Sequence, residues 1–392
     1  MFRSLRVSAS VTVVALVALW VVAARPAAHD EVTVVMRGLE NPRGLAIGPE
    51  GALYVAEAGK GGPEGPGNCQ IIRGLNRCYG PTGALTRVWR GKQERVATRL
   101  PSYADLTANP EVAGPNDVSF LGRGATFMTI GLGGNPTIIR PGFGPDGEVF
   151  GTLVQVAPGP SHRDFGWDDD NGPFWFGSFF ARRTRAWRVV VDISAHEVEA
   201  NPAGGPIDSN PFGLLAQAGA RIVADAGANA LLRVAANGDV STLVVLPRPL
   251  GGPAGTVDPV PTSVVMGSDG AYYVGLLTGF PFAPNAASVY RVLPCAPPEV
   301  FAAGLQTIID LDFGPDGSLY VLQHTSGLNP PPNVFGGPGQ GLVIKIAPDG
   351  TRTTVVTGLT RPTSLLVDWD GVIYVTNNGV TIGAGEVWRI EQ

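Results

Sequence analysis

Hydrophobic and polar positions along this chain repeat one short phrase: a glycine-containing turn, a strand ending in an aromatic or branched pair, then a small or polar residue. It is written most fully as Gly48-Pro49-Glu50-Gly51-Ala52-Leu53-Tyr54-Val55, and it returns at 267–274, 314–321 and 368–375. Two degenerate copies, at 125–130 and 220–225, fill the gap, so equivalent positions fall at Tyr54, Phe127, Ile222, Tyr273, Tyr320 and Tyr374. Three of the five intervals between these positions are about one propeller blade long, and self-similarity at that period marks a repeat architecture, in which each unit buries its apolar face only against its neighbours.

One unit reads cleanly as four strands, at 211–215, 221–224, 231–235 and 241–245. The Asn237-Gly238-Asp239 turn between the last two tolerates the positive φ that a tight hairpin needs. Four antiparallel strands per unit make a propeller blade. Similar sets begin near Asn41, Asn116, Pro211, Pro261, Ile309 and Pro362, which predicts an all-β, six-bladed β-propeller in a single domain over 29–392. The last set supplies only three strands, beginning at Thr363, Val372 and Glu386. The segment 33–39 repeats the character of 354–359, the outer strand of the fifth set, so the N-terminal strand is expected to complete blade six. Such closure removes the unpaired sheet edges that invite aggregation.

Composition agrees with short strands and many turns. The 392 residues are 44% hydrophobic and 16% charged, with 54 glycines and 35 prolines. A net charge of −5 without a basic block speaks against a nucleic-acid partner, because the phosphate backbone demands a cationic face. Residues 1–28 read as a signal peptide: Arg3 and Arg6 precede an apolar run from Val7 to Ala24, and small residues follow. The rival is an uncleaved anchor, since the run approaches the length needed to span a bilayer. Cleavage implies a secreted or periplasmic chain with no stable membrane insertion. In an oxidising compartment Cys69 and Cys78 are expected to form a disulfide, the alternative being two unpaired thiols; Cys295 is expected to be a buried small hydrophobe.

Insertions at 59–80, 159–185, 275–287 and 325–341 break the rhythm, three of them between second and third strands, so one face of the ring is expected to be the working face. Glu57, Asp225, His324 and Asn377 stand at second-strand exits on that face, and Asn116 and Asp117 enter it from first strands. These six are the candidate ligand-binding residues. Carboxylate and amide oxygens suit a hard cation such as calcium, with Glu57, Asn116 and Asp225 as its ligands. The competing reading is that they cap strand ends. The acidic stretch 164–172 with the aromatics Phe174, Trp175, Phe176, Phe179 and Phe180 reads as a lid or a small satellite core. His162 and His324 have a plausible catalytic setting, whereas His29 lies at the processing site and His196 in an outer-strand segment. No Gly-x-Ser-x-Gly turn, His-Glu-x-x-His helix or phosphate-binding glycine loop occurs.

Four segments carry a family resemblance: 38–45 (Gly-Leu-Glu-Asn-Pro-Arg-Gly-Leu), 54–62 (Tyr-Val-Ala-Glu-Ala-Gly-Lys-Gly-Gly), 207–214 (Ile-Asp-Ser-Asn-Pro-Phe-Gly-Leu) and 223–227 (Val-Ala-Asp-Ala-Gly). In these the chain resembles the bacterial ScyD/ScyE family of exported NHL-like propellers, whose founding members belong to the gene cluster for the ultraviolet screen scytonemin. The resemblance implies fold and export and supplies no catalytic residues. The 159–185 insertion departs from the compact family pattern. Two functions follow: a non-enzymatic propeller binding a protein or small molecule on its loop-rich face, or an enzyme. The enzyme is either a calcium-dependent lactonase or esterase similar to gluconolactonases, or a quinone-dependent sugar dehydrogenase, echoed by 161–166. Fold alone does not decide between them.

Overall fold

The computed structural model describes residues 31–105, 107, 111–122, 125–157, 186–250, 255–325 and 340–391. Their strands form six antiparallel sheets arranged as the blades of a β-propeller. The first strands, which line the axis, are Pro42–Ile47, Pro115–Leu121, Pro211–Gln217, Pro261–Met266, Ile308–Phe313 and Leu365–Val367. The second strands, Leu53–Glu57, Ala125–Ile130, Ala220–Asp225, Tyr272–Leu276, Leu319–Gln323 and Ile373–Asn377, carry the repeated aromatic or branched position. The unit read most cleanly from the pattern is the third blade, whose four strands end with Ala230–Ala235 and Val240–Val245. Apolar clusters lie between neighbouring blades, where Tyr54, Ile222 and Val274 are shielded from water.

The N-terminal strand Glu31–Leu39 pairs antiparallel with Gly385–Glu391, Val34 opposite Trp388 and Met36 opposite Val387, and completes the sixth blade. Met36 and Leu39 are fully buried there, each adding about 2 kcal/mol of apolar burial to the latch.

Polar side chains stitch the first strands to one another around the axis. Ser119 accepts the backbone N–H of Ala216 at 2.9 Å, Ser263 that of Leu311 at 3.1 Å, and Ser364 that of Leu45 at 3.0 Å. Asp117 accepts from Leu214 at 2.7 Å, and Asp312 from Val367 at 2.7 Å. Between blades one and two the backbones come too close for a side chain, since a Cβ on Gly44 would lie 2.7 Å from the Asp117 Cα.

Several expectations need correction. Residues 131–151, between the second and third strands of blade two, hold a short helix α1 (Pro136–Ile139) and a 3-10 segment (Arg140–Val149). Two prolines and three glycines within the 3-10 segment hid it from periodicity. His196 stands on a helix, α2 (Ile193–Ala200), rather than an outer strand, with Nε2 2.8 Å from Thr242 Oγ1. Cys295 is exposed rather than buried, because its φ of 64° places it in the turn after Ala287–Val292. Cys69 and Cys78 form the expected disulfide and face each other across a hairpin. The signal segment, His29, the acidic and aromatic stretch of 159–185 with His162, and most of 325–341 lie outside the described residues. Among the described residues no helix is long and apolar enough to cross a membrane.

Candidate ligand cavity at the channel mouth

Most of the polar residues at second-strand exits fasten their own blade. Glu57 accepts the backbone N–H of Glu40 at 2.7 Å, Asp225 that of Asn210 at 2.7 Å, Gln323 that of Gln306 at 3.1 Å and Asn377 that of Thr360 at 2.7 Å. In each case the side chain ties the exit of the second strand to the chain entering the first. These groups have little capacity left. Glu57 is fully buried, gripped by Arg95 through Nε at 2.9 Å and Nη2 at 2.8 Å, and also receives the Thr86 hydroxyl. Asp225 accepts from Ser209 Oγ and from the N–H groups of Asn210, Gly227 and Ala228. Burial raises its pKa, and those donors oppose the rise.

The opposite face has its own clasp, which accounts for the acidic turn and tyrosine of the repeated phrase. In blade four Tyr273 donates to Asp269 at 3.2 Å and Arg291 Nε pairs with the same carboxylate at 2.7 Å. In blade five Lys345 pairs with Asp316 at 2.7 Å and lies 5.4 Å from the centre of the Tyr320 ring. In blade one Glu50, Tyr54 and Arg87 form the same set. The repeated tyrosines and turn acids are therefore structural.

The loop-rich face holds a cavity of about 280 Å³ at the mouth of the axial channel. Its floor comes from the residue that follows the first-strand proline or its equivalent: Arg43, Asn116, Phe212, Ile309 and Thr363. One wall is an upward extension of blade one. There the strands Leu75–Trp89 and Lys92–Asp105 run 15 and 14 residues, and the disulfide-closed hairpin Cys69–Ile72 with Val112–Ala113 widens them. Tyr103 on this wall stacks on Phe143 at 5.0 Å, meets Phe150 edge-on at 4.9 Å and donates its hydroxyl to the Leu132 carbonyl, joining wall to helical insert.

Charge at the mouth is one-sided among the described residues. Arg43, Arg73, Arg77 and Arg361 line the cavity against the single carboxylate of Glu111, in a protein of net charge −5. Arg77 pairs with Glu111, and Arg73 with Asp208 at 3.3 Å. His324 faces the same space with Nδ1 2.8 Å from the Pro362 carbonyl; because a carbonyl only accepts, Nδ1 carries the proton. Burial pulls the His324 pKa down to about 4, and the Arg43 and Arg361 charges add to that, while the bond to Pro362 partly opposes it.

The structure thus brings Asn116 and His324 of the six candidates to the cavity. Glu57, Asp225 and Asn377 do not line it and serve as clasps of their own blades, and Asp117 faces the axial channel, beside Asp310 and Asp312. Of the three residues considered as calcium ligands, only Asn116 lines the cavity, and its amide donates to the Pro211 carbonyl at 2.9 Å. Among the described residues no group of three or more His, Cys, Asp or Glu is placed to hold a metal ion. Sequence reasoning missed the four arginines. Their signal was positional: Arg43 follows the first-strand proline of its blade, and Arg73 and Arg77 lie inside the loop that Cys69 and Cys78 close.

No family model matches the chain, and no curated protein matches it. Solved structures similar over 93% of this chain include a catalytically inactive virginiamycin B lyase from Staphylococcus aureus with quinupristin, 10% identical, covered over its full length at a TM-score of 0.47. A luciferin-regenerating enzyme is 9% identical, covered over 96% of its length at a TM-score of 0.48. A putative oxidoreductase (glucose dehydrogenase) from Thermus thermophilus is 15% identical, covered over its full length at 0.40. The propeller assignment stands on the strand pairing of this chain, and no substrate is taken from these likenesses.

Proposed function

We propose that this chain is an exported propeller, similar to the ScyD/ScyE family, that binds a small-molecule ligand in the cavity at the channel mouth without chemically transforming it. The observation that carries this reading is the cavity itself. Apolar side chains such as Phe212, Leu277 and Ile309 meet a few convergent polar groups in a space of about 280 Å³, on the face that bears the long loops. The disulfide supports export, since such bonds persist in oxidising compartments. The saturated clasps of Glu57 and Asp225 support binding over calcium-dependent hydrolysis, because their oxygens already serve backbone and side-chain donors.

The test is a fragment screen by ligand-observed NMR on the mature chain. Bound fragments are expected to be lost together in Ile309→Trp, which fills the cavity while leaving the blade clasps intact. Fragments that still bind the filled variant, or lactone hydrolysis by the native chain that disappears on calcium chelation, would overturn the reading.

A further inference from the structure

Three described arginines are more than nine-tenths buried: Arg43 at 8% exposure, Arg77 at 4% and Arg140 at 8%. A charge taken out of water is costly unless it is paired, and two of the three obey that rule. Arg77 meets Glu111, and Arg140 meets Asp192 with contacts of 2.6 and 2.8 Å. Among the described residues Arg43 has no carboxylate partner. Its Nη1 alone is engaged, donating to the Gly379 carbonyl at 2.5 Å and reaching the Pro42 carbonyl at 3.5 Å. Burial without a counter-charge lowers its pKa to about 10.

Those carbonyls fix the orientation of the Arg43 guanidinium. Nε and Nη2 make no hydrogen bond among the described residues, are not sealed from solvent, and belong to a side chain that lines the cavity. They form one edge of the guanidinium plane with two parallel donors. The same chain shows what such an edge binds: Nε and Nη2 of Arg95 hold the two oxygens of Glu57. Arg361, which also lines the cavity, makes no ion pair among the described residues and holds a left-handed backbone at φ 44°. Both guanidiniums act on His324, so they share one neighbourhood.

We infer that the ligand of this cavity is an organic carboxylate, its two oxygens bridged by Nε and Nη2 of Arg43 and its charge shared by Arg361, with an apolar body against Phe212, Leu277 and Ile309. This rests on the small-molecule reading given above and narrows it to one chemical class. Arginine rather than lysine suits the role, since a planar fork selects a planar carboxylate where an ammonium would act as a point charge. A purely structural Arg43 would need only Nη1.

The experiment compares 2-naphthoate with 2-naphthamide, its uncharged match, by calorimetric titration of the full mature chain. Naphthoate is expected to bind at least tenfold tighter than the amide. Arg43→Gln and Arg43→Lys are both expected to remove most of that preference, and Arg361→Gln to reduce it. Should Arg43→Gln fail to fold, Arg361→Gln and the salt dependence of naphthoate binding by the native chain carry the test. Equal affinity for the two probes, both lost in Ile309→Trp, would overturn the carboxylate inference and leave the cavity reading standing. Absence of binding by either probe would overturn both.

Discussion

The carboxylate of Asp310 in the fifth blade accepts the backbone N–H of Leu365 in the sixth at 2.9 Å, and its other oxygen accepts the Ser263 hydroxyl of the fourth at 2.7 Å. One side chain therefore joins three blades at the axis. Asp312, one turn of the pleat further along, repeats the bond to Val367.

The axial acids carry a pH signature. Burial raises the pKa of Asp117, Asp310 and Asp312, that of Asp312 to about 7, with the Asp310 charge adding to the rise. A carboxyl whose folded pKa lies above its unfolded value favours the folded state fully below about pH 4, and that contribution is lost as pH climbs through about 7. His324 works the other way, its contribution being present above its unfolded pKa of about 6.5 and lost as pH falls through about 4. The two overlap, so the readout is a difference between proteins. Asp312→Asn keeps an oxygen for Val367 and removes the charge; its Tm is expected to gain on the native chain as pH rises from 4 to 8. A difference that stays flat across that range would show that Asp312 titrates as in the unfolded chain.

Ring closure makes a sharper demand on one side of the N-terminal strand than on the other. Met36 is 1% exposed and Val32 is 47% exposed. Met36→Ala is expected to cost about 3 kcal/mol in urea unfolding, and Val32→Ala less than about 0.5 kcal/mol. Equal small effects would mean that the strand contributes little to the latch.

The tyrosine clasps on the opposite face are expected to be modest individually. Tyr273→Phe removes one hydroxyl bond to Asp269 in a partly exposed setting, for about 1 kcal/mol. Its binding of any cavity ligand should be unchanged when measured by the same titration. A loss of affinity there would place function on the wrong face.

The fold was legible because the blade is a local object. Tyr54, Phe127, Ile222, Tyr273, Tyr320 and Tyr374 each lie in the second strand of a different sheet, and the alternation around them is set by packing between neighbours only. Even closure was readable, because 33–39 carries the apolar content of an outer strand. The site was legible only in part. His324 and Asn116 do line the cavity, but Glu57 and Asp225 have the same chemistry as ligands and serve as clasps instead. What separates the two uses is a backbone N–H 17 or 15 residues upstream, which composition does not reveal. Arg43 was missed for the converse reason: a lone arginine after a proline reads as surface until its partners are counted.

The polar residues of the loop-rich face divide into those that hold the ring and those that face the cavity. Comparing Glu57→Gln with Arg43→Gln, each by urea unfolding and by 2-naphthoate titration, tests that division directly. Glu57→Gln is expected to lose about 2 kcal/mol of stability and keep its affinity, since the fully buried side chain exchanges an acceptor oxygen for an NH2 group that faces the donors of Arg95, Thr86 and Glu40. Arg43→Gln is expected to fold with near-native stability and lose naphthoate binding. The reverse pattern, binding lost in Glu57→Gln and kept in Arg43→Gln, would contradict the account.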